Sequence, residues 1–140
     1  PRLKTDLVDL CFSSIEDKID EVKLEWKDRV SVCVVLASGG YPGEYKKGLV
    51  ITGLQDAIWE GSPGTHIFHA GTKLHDSKVV TAGGRVLNVV SLGENIRQAA
   101  DKVYRAVNRI KFAGMHYRKD IGYKAFERYR EDTFMGTQAD

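Results

Sequence analysis

Apolar positions recur along this chain with two different periods, and these periods predict its helices and strands. Apolar residues three and four apart across 96–110 lie on one face of a helix. A similar spacing across 5–19 predicts a second helix, with Thr5 or Asp6 placed to cap it. The nearly continuous apolar run across 29–38 predicts a strand that is buried on both faces.

Shorter apolar runs, separated by turn residues, predict further strands. Residues 65–70 and 86–92 form two of these runs, and residues 73–81 predict a hairpin with a polar turn at 75–77. Residues 123–129 predict a last short helix. Short strands beside two clear helices predict an α+β fold, in which helices pack on a small, mostly antiparallel β-sheet.

Size and charge narrow the class of protein. A chain of 140 residues with 42% hydrophobic and 29% charged residues is typical of one globular domain. The net charge of +2 is too small to favour nucleic acid or a membrane surface as a partner. No apolar stretch approaches the roughly 18 residues of a spanning helix. Because the chain starts at Pro1 rather than Met, we expect residues upstream of it.

The two cysteines carry information about the compartment. Cys11 lies in the first predicted helix and Cys33 in the predicted strand, and both are expected to be buried free thiols rather than a disulfide or metal pair. Nothing in this usage indicates an oxidising compartment, so the sequence predicts a cytoplasmic protein.

Two Gly-Gly pairs, Gly39-Gly40 and Gly83-Gly84, each follow an apolar strand-like run. Glycine allows positive φ and the close approach of another backbone or a ligand. Arg85 directly follows the second pair, so a guanidinium lies beside bare backbone N–H groups, an arrangement suited to an anion. Two other interpretations stay open: plain turns for the glycines, and a structural ion pair of Arg85 with Glu94 or Asp120.

Motifs for the common catalytic centres are missing from the sequence. There is no Ser-His-Asp spacing, Cys-x-x-Cys pair, Walker loop or dinucleotide fingerprint. His66 and His69 are three apart in a strand and therefore point to opposite faces, which disfavours a shared metal. Glu94 is expected in the first turn of the long helix, where its charge suits the helix dipole. Asp120 is expected to pair with a neighbouring cation.

Five motifs occur in a fixed order, and together they resemble one enzyme family. They are Ala-Ser-Gly-Gly-Tyr-Pro-Gly (37–43), Lys-Gly-Leu-Val-Ile-Thr-Gly (47–53), Phe-His-Ala-Gly-Thr (68–72), Val-Val-Thr-Ala-Gly-Gly-Arg-Val-Leu (79–87) and Tyr-Arg-Lys-Asp-Ile-Gly-Tyr (117–123). The set resembles the C-terminal part of phosphoribosylamine–glycine ligases, also called glycinamide ribonucleotide synthetases, across about residues 30–128. The start of the chain resembles the family's stretch after its metal-binding segment.

The resemblance implies a fold and an activity. The fold would be the C-terminal domain of an ATP-grasp ligase, similar to a rudiment single hybrid motif, with residues 1–29 as the tail end of the ATP-grasp domain, 30–130 as the substrate-side domain and 131–140 as a flexible tail. The complete enzyme would join glycine to 5-phosphoribosylamine in purine biosynthesis through a glycyl phosphate. ATP and Mg²⁺ (or Mn²⁺) would be bound by ATP-grasp domains before Pro1, so this segment would hold no catalytic or metal-binding residue and would be inactive alone.

The resemblance also implies which residues contact substrate. Arg85 would bind the 5-phosphate of the substrate, and Gly83 and Gly84 would let it approach. Lys73, Gly39, Gly40, Arg118 and Asp120 are further candidates for the substrate cleft. Two alternatives stay open: a non-catalytic binding or assembly module of the same fold, and a different ATP-grasp ligase or carboxylase, against which the Tyr-Pro loop and residues 117–123 argue.

Overall fold

The computed structural model describes residues 1–58 and 63–126. Residues 123–126 are helical, whereas the rest of the helix predicted across 123–129 and the tail predicted across 131–140 lie outside the described residues. The elements are α1 (Leu7–Ile15), β1 (Val30–Ala37), α2 (Leu54–Ala57), β2 (Thr65–His69), β3 (Thr72–His75), β4 (Lys78–Thr81), β5 (Arg85–Gly93) and α3 (Ile96–Val107), with a 3₁₀ turn at Ile19–Glu21.

The strands form two small antiparallel sheets, which confirms the predicted α+β class. One sheet has the order β1-β5-β2, with β5 in the centre, and the other is the hairpin β3-β4. The hairpin turn falls at Asp76 and Ser77, whose φ values of 46° and 59° place both in the left-handed region. Such angles are those of a two-residue turn whose twist matches the flanking strands.

The core lies between α3 and one face of the three-stranded sheet. Val34 and Leu36 of β1 and Val103 of α3 are completely buried there. The prediction that β1 is buried on both faces is wrong, because Ser31, Cys33 and Val35 alternate with the core residues and are exposed. The reason is that α3 covers a single face of the sheet.

The same open face corrects the prediction for the cysteines. Cys33 is exposed on the uncovered side of β1, and Cys11 is exposed on α1. Both are free thiols, as expected, but neither is buried. The apolar run around Cys33 predicted burial correctly only for the alternate side chains that face α3.

Cys33 gives a test of this open face. We expect maleimide to modify Cys33 in the folded chain without denaturant, with a rate that keeps rising well above neutral pH. Partial burial raises the pKa of the Cys33 thiol and so lowers the fraction of reactive thiolate near pH 7. Mass spectrometry of wild type and Cys33→Ser separates its rate from that of Cys11. Protection of Cys33 until the chain is unfolded would contradict the exposed face.

Helix α1 begins as predicted but is not packed. Asp6 is its N-cap and accepts a hydrogen bond from the Val8 N–H at 2.7 Å. The helix ends at Ile15, earlier than the predicted Ile19, and contains no buried residue. Its apolar residues therefore face solvent within the described residues, with Ile15 78% exposed.

The predicted long helix is confirmed as α3, with a different N-terminus. Asn95, not Glu94, begins it: the Asn95 side chain accepts a hydrogen bond from the Gln98 N–H at 2.9 Å. Glu94 precedes the cap and forms an ion pair with Arg29 at 3.0 Å. The expectation of Glu94 in the first turn is therefore wrong, because asparagine supplies the cap from extended backbone. No helix in the described ranges is long and apolar enough to cross a bilayer.

Candidate functional site

The structure brings the two Gly-Gly segments into direct contact. We call residues 37–43 the first glycine loop and residues 81–86 the second. Ser38 joins them: its N–H donates to the Gly84 carbonyl at 2.8 Å and its hydroxyl donates to the Gly83 carbonyl at 2.9 Å. Ser38 is completely buried. It therefore holds the two loops together, a role that its position before a Gly-Gly pair did not reveal.

The glycines of these loops face other parts of the chain. A Cβ on Gly84 would overlap the ring of Tyr41, and one on Gly83 would lie 3.0 Å from the Cα of Gly71. A Cβ on Gly39 would lie 2.8 Å from the Gly114 carbonyl oxygen. Close internal packing is thus a sufficient reason for glycine at these three positions, and substrate approach at Gly83 and Gly84 remains a prediction.

Gly40 has a different requirement. Its φ of +95° lies in the left-handed region, and a Cβ there would overlap the carbonyl oxygen of Glu44. Gly40 therefore turns the first glycine loop back on itself. The open interpretation of this pair as a turn thus fits Gly40, whereas Gly39 is required by its contact with Gly114.

Arg85 has no competing carboxylate in the structure. It begins β5, lies opposite Ala37 across a register shift in β1, and is exposed. Its backbone carbonyl accepts from the Gly71 N–H at 2.9 Å. Within residues 1–58 and 63–126, no hydrogen bond or ion pair engages its guanidinium. The alternative of an Arg85 ion pair with Glu94 or Asp120 is therefore wrong, since those carboxylates pair with Arg29 and Arg118.

A cavity of about 600 Å³ lies against the first glycine loop. Its walls include the backbones of Gly39 and Gly114 and the side chains of Glu44, Tyr45 and Lys46. Arg85 does not line it, although Ser38 connects Gly39 to the residue before Arg85. The Arg85 side chain is therefore not part of this cavity.

Lys73 lies on the hairpin that adjoins the second glycine loop. It is exposed on β3 opposite Val80. The contact between hairpin and loop is made by Gly71, whose carbonyl accepts from the Ala82 and Gly83 N–H groups at 2.7 and 3.1 Å. Lys73 follows Gly71 by two residues, and its part in the substrate cleft remains a prediction.

Arg118 and Asp120 form an ion pair with each other. The guanidinium donates from Nε and Nη2 to the two carboxylate oxygens at 2.9 and 2.7 Å. These bonds, followed by the arginine's charge, lower the pKa of Asp120. The expectation that Asp120 joins an ion pair is confirmed. Either residue would have to exchange this partner for a substrate group, and their place in the cleft stays a prediction.

The Arg118–Asp120 pair makes a measurable prediction about pH. In Arg118→Gln, we expect the Asp120 carboxyl to titrate at a higher pH than in wild type, because the hydrogen bonds that favour the ionised form are lost. Any stability that this exposed pair contributes exists above the unfolded-state pKa and disappears as the pH falls through the lower folded-state pKa. Carboxyl ¹³C shifts against pH measure the midpoint. An equal midpoint in both proteins would show that the pair does not form in solution.

The histidines serve structural contacts. His66 and His69 lie on opposite faces of β2, as expected, and His69 Nδ1 is 3.0 Å from the Thr72 hydroxyl. Burial lowers the pKa of His66, and the charges of the N-terminal amino group and Lys27 lower it further. In the part of the chain that the structure describes, no three His, Cys, Asp or Glu residues are grouped so that they could hold a metal ion.

Sequence reasoning missed three residues that shape the site. Tyr41 packs on Gly84, Gly71 packs on Gly83, and Gly114 packs on Gly39. Each contact joins segments more than ten residues apart, so no local pattern reveals it. The available signal was the glycine itself: Gly71 directly follows the strand predicted across 65–70, and Gly114 follows the helix predicted across 96–110.

Comparison with known proteins gives a consistent result. Residues 31–124 match the family model described as the phosphoribosylglycinamide synthetase C domain. The chain is 48% identical over 128 residues to the phosphoribosylamine–glycine ligase of Escherichia coli, covering 91% of this chain and 29% of that protein. The corresponding ligase of Caldanaerobacter subterraneus is 46% identical over 121 residues, covering 86% and 28%.

A solved structure shows the same similarity in three dimensions. The crystal structure of phosphoribosylamine–glycine ligase from Thermotoga maritima superposes with a TM-score of 0.62 at 34% identity, over 79% of this chain and 27% of that one. The chain thus spans less than a third of the length of these relatives.

Proposed function

This chain belongs to the phosphoribosylglycinamide synthetase C-domain family, and from that membership we propose that it forms the C-terminal part of an ATP-dependent ligase. The ligase joins glycine to 5-phosphoribosylamine and yields glycinamide ribonucleotide, a step of purine biosynthesis in the cytoplasm. The observation that carries the proposal is the family match over residues 31–124, together with 48% identity to a ligase of that name. This segment borders the substrate cleft and is inactive alone.

Residues 1–29 belong, in this proposal, to the end of the ATP-grasp domain. Two observations support this division. The family match begins at residue 31, next to the start of β1 at Val30. In the preceding helix α1, Leu7, Phe12 and Ile15 are 65%, 59% and 78% exposed. Exposing apolar side chains to water is unfavourable, and contact with a second surface would bury them. The ATP-grasp domains of the same chain provide that surface.

The remaining substrates and cofactors are assigned to the larger enzyme. ATP and Mg²⁺ (or Mn²⁺) bind to the ATP-grasp domains, where the carboxyl group of glycine is activated as an acyl phosphate. The amine of phosphoribosylamine then attacks the acyl carbon and phosphate leaves. This chain's contribution is to hold phosphoribosylamine by its 5-phosphate, far from the reacting amine.

Arg85 performs that holding role. Its guanidinium is exposed and unpaired within the described ranges, and its fork of N–H donors matches a phosphate. Its backbone is fixed by the β5 ladder and by the Gly71 N–H, so the base of the side chain is held in place. Binding a remote phosphate restricts the amine to the neighbourhood of the acyl phosphate and lowers the entropic barrier of the encounter.

A chimeric enzyme tests the proposal. The C-terminal segment of the Escherichia coli ligase that aligns with this chain is replaced by this sequence, and release of ADP and phosphate is measured with glycine and phosphoribosylamine. We expect activity that depends on both substrates. A matched chimera carrying Leu36→Ala, which opens a cavity in the core, controls for correct packing of the segment. A folded chimera without activity would favour the alternative, a non-catalytic binding or assembly module.

A further inference from the structure

A second concave region, separate from the glycine loops, collects positive charge. We call it the basic cavity. It measures about 370 Å³. It is lined by Lys27 and Arg29 from the segment before β1, by Gly64, by Glu94 before the cap of α3, and by Lys102 in the middle of α3. Three cations and one carboxylate therefore surround it. At 370 Å³ it lies within the range of small-molecule sites.

The described residues that line the basic cavity do not balance its positive charges. Glu94 is already engaged by Arg29 at 3.0 Å. Lys102 has only a long hydrogen bond, 3.4 Å, to the Leu92 carbonyl. The Lys27 ammonium has no hydrogen bond or ion pair within residues 1–58 and 63–126. Among the described residues that line the cavity, two ammonium groups are thus left without a carboxylate, and the lining carries a net charge of +2.

Two N–H groups at the start of α3 already have partners within the protein. The Glu94 N–H donates to the Gln98 side chain at 2.7 Å, and the Gln98 N–H donates to the Asn95 cap at 2.9 Å. The beginning of α3 therefore offers these N–H groups to its own residues and not to a ligand. Recognition here depends on Lys27 and Lys102.

A neighbouring group responds to the same positive field. His66 is desolvated, and its pKa is lowered further by the amino terminus and by Lys27. The positive charge of Lys27 therefore acts on the His66 side chain. This agrees with the count of charges around the basic cavity and is independent of the geometry of the glycine loops.

We propose that the basic cavity is a binding site for a phosphate dianion, free or as a small phosphate monoester, held by the ammonium groups of Lys27 and Lys102 beside the Arg29–Glu94 pair. The site is distinct from Arg85 and does not depend on the proposed ligase activity. Because Lys27 precedes β1 and Lys102 lies on α3, an anion bound between them ties the segment before β1 to the body of the fold.

The test is a titration of the ¹⁵N-labelled 140-residue chain with inorganic phosphate and, separately, with ribose 5-phosphate, at constant ionic strength. Ribose is the uncharged control. We expect saturable shifts of the Gly64 and Leu92 amides with both phosphates and none with ribose. Equal affinity for the two phosphates indicates a site for the free anion, and tighter binding of ribose 5-phosphate indicates a site for the ester. An absence of saturable shifts overturns the proposal.

Variants locate the site. The double variant Lys27→Gln/Lys102→Gln is expected to bind phosphate at least about tenfold more weakly, since each lost charge-assisted contact weakens binding severalfold or more. Lys78→Gln removes one positive charge on β4, outside the lining of the basic cavity, and so matches Lys27→Gln alone; it is expected to retain binding. If the spectrum of the double variant shows that its fold has changed, Lys27→Gln alone is used in its place. Equal weakening by Lys78→Gln and Lys27→Gln overturns the proposal.

Discussion

Replacing Arg85 with alanine in the complete ligase raises the KM for phosphoribosylamine by about one to two orders of magnitude and leaves the KM for ATP and glycine nearly unchanged. The expected size follows from losing a charge-assisted contact, which costs about 1.5–3 kcal/mol. The effect falls on one substrate because the guanidinium has no partner within the described residues and contacts only the phosphate in the proposed cleft. Initial rates with each substrate varied in turn measure the three constants.

Two matched variants separate phosphate binding from general charge. Arg85→Lys keeps the charge but loses the planar pair of donors, so its KM is expected to lie between wild type and Arg85→Ala. Arg105→Ala removes an exposed arginine from the last turn of α3 and is expected to have no such effect. If the KM for phosphoribosylamine is unchanged in a folded Arg85→Ala enzyme, Arg85 does not belong to the substrate site.

Gly84→Ala is expected to destabilise the chain by about 1–3 kcal/mol, the usual range for overpacking. The added methyl group would overlap the Tyr41 ring, so one of the glycine loops must move. Movement of the second loop would strain the buried hydrogen bond from the Ser38 N–H to the Gly84 carbonyl, because Ser38 has no water to replace it. Denaturant unfolding measures the loss of stability.

A double-mutant cycle decides whether the contact with Tyr41 is the cause. In a Tyr41→Ala background there is no ring for the new methyl group of Gly84→Ala to overlap. The loss of unfolding free energy caused by Gly84→Ala is therefore expected to fall well below 1 kcal/mol. Gly84 does not have a positive φ, so its cost is expected from the ring contact and not from backbone strain. Gly48→Ala, at a φ of +80° with open space around it, measures the cost of strain without a clash. Equal costs for Gly84→Ala in both backgrounds would show that the ring does not determine the glycine.

The elements that depend on local pattern could be predicted from the sequence. The three- and four-residue spacing along α3 marks the face that packs on the sheet, and Val103 and Val107 of that face are completely buried. The hairpin β3-β4 follows from two short apolar runs around a polar turn. These predictions succeeded because the apolar period of a helix or a strand can be read within a short stretch of sequence.

The predictions of burial that failed concern what covers a surface. The apolar run of β1 contains both core residues and the exposed Cys33, and α1 has an apolar stripe that no described residue covers. Composition measures how apolar a segment is, not whether another layer lies against it. Ion pairs show a related limit. The Arg118–Asp120 pair was predictable because its members are two residues apart, whereas the Arg29–Glu94 pair joins residues 65 apart and was not.

By itself the sequence determined the strands, the long helix, the hairpin turn and the ordered motifs that place the chain in its family, because each is a property of neighbouring residues. Only the tertiary structure decided that Ser38 joins the two glycine loops, that Tyr41 occupies the space beside Gly84, and that Arg85 is left without a carboxylate. Those facts depend on which distant segments meet, and that is fixed by the packing of α3 and the pairing of β1 with β5 around one core.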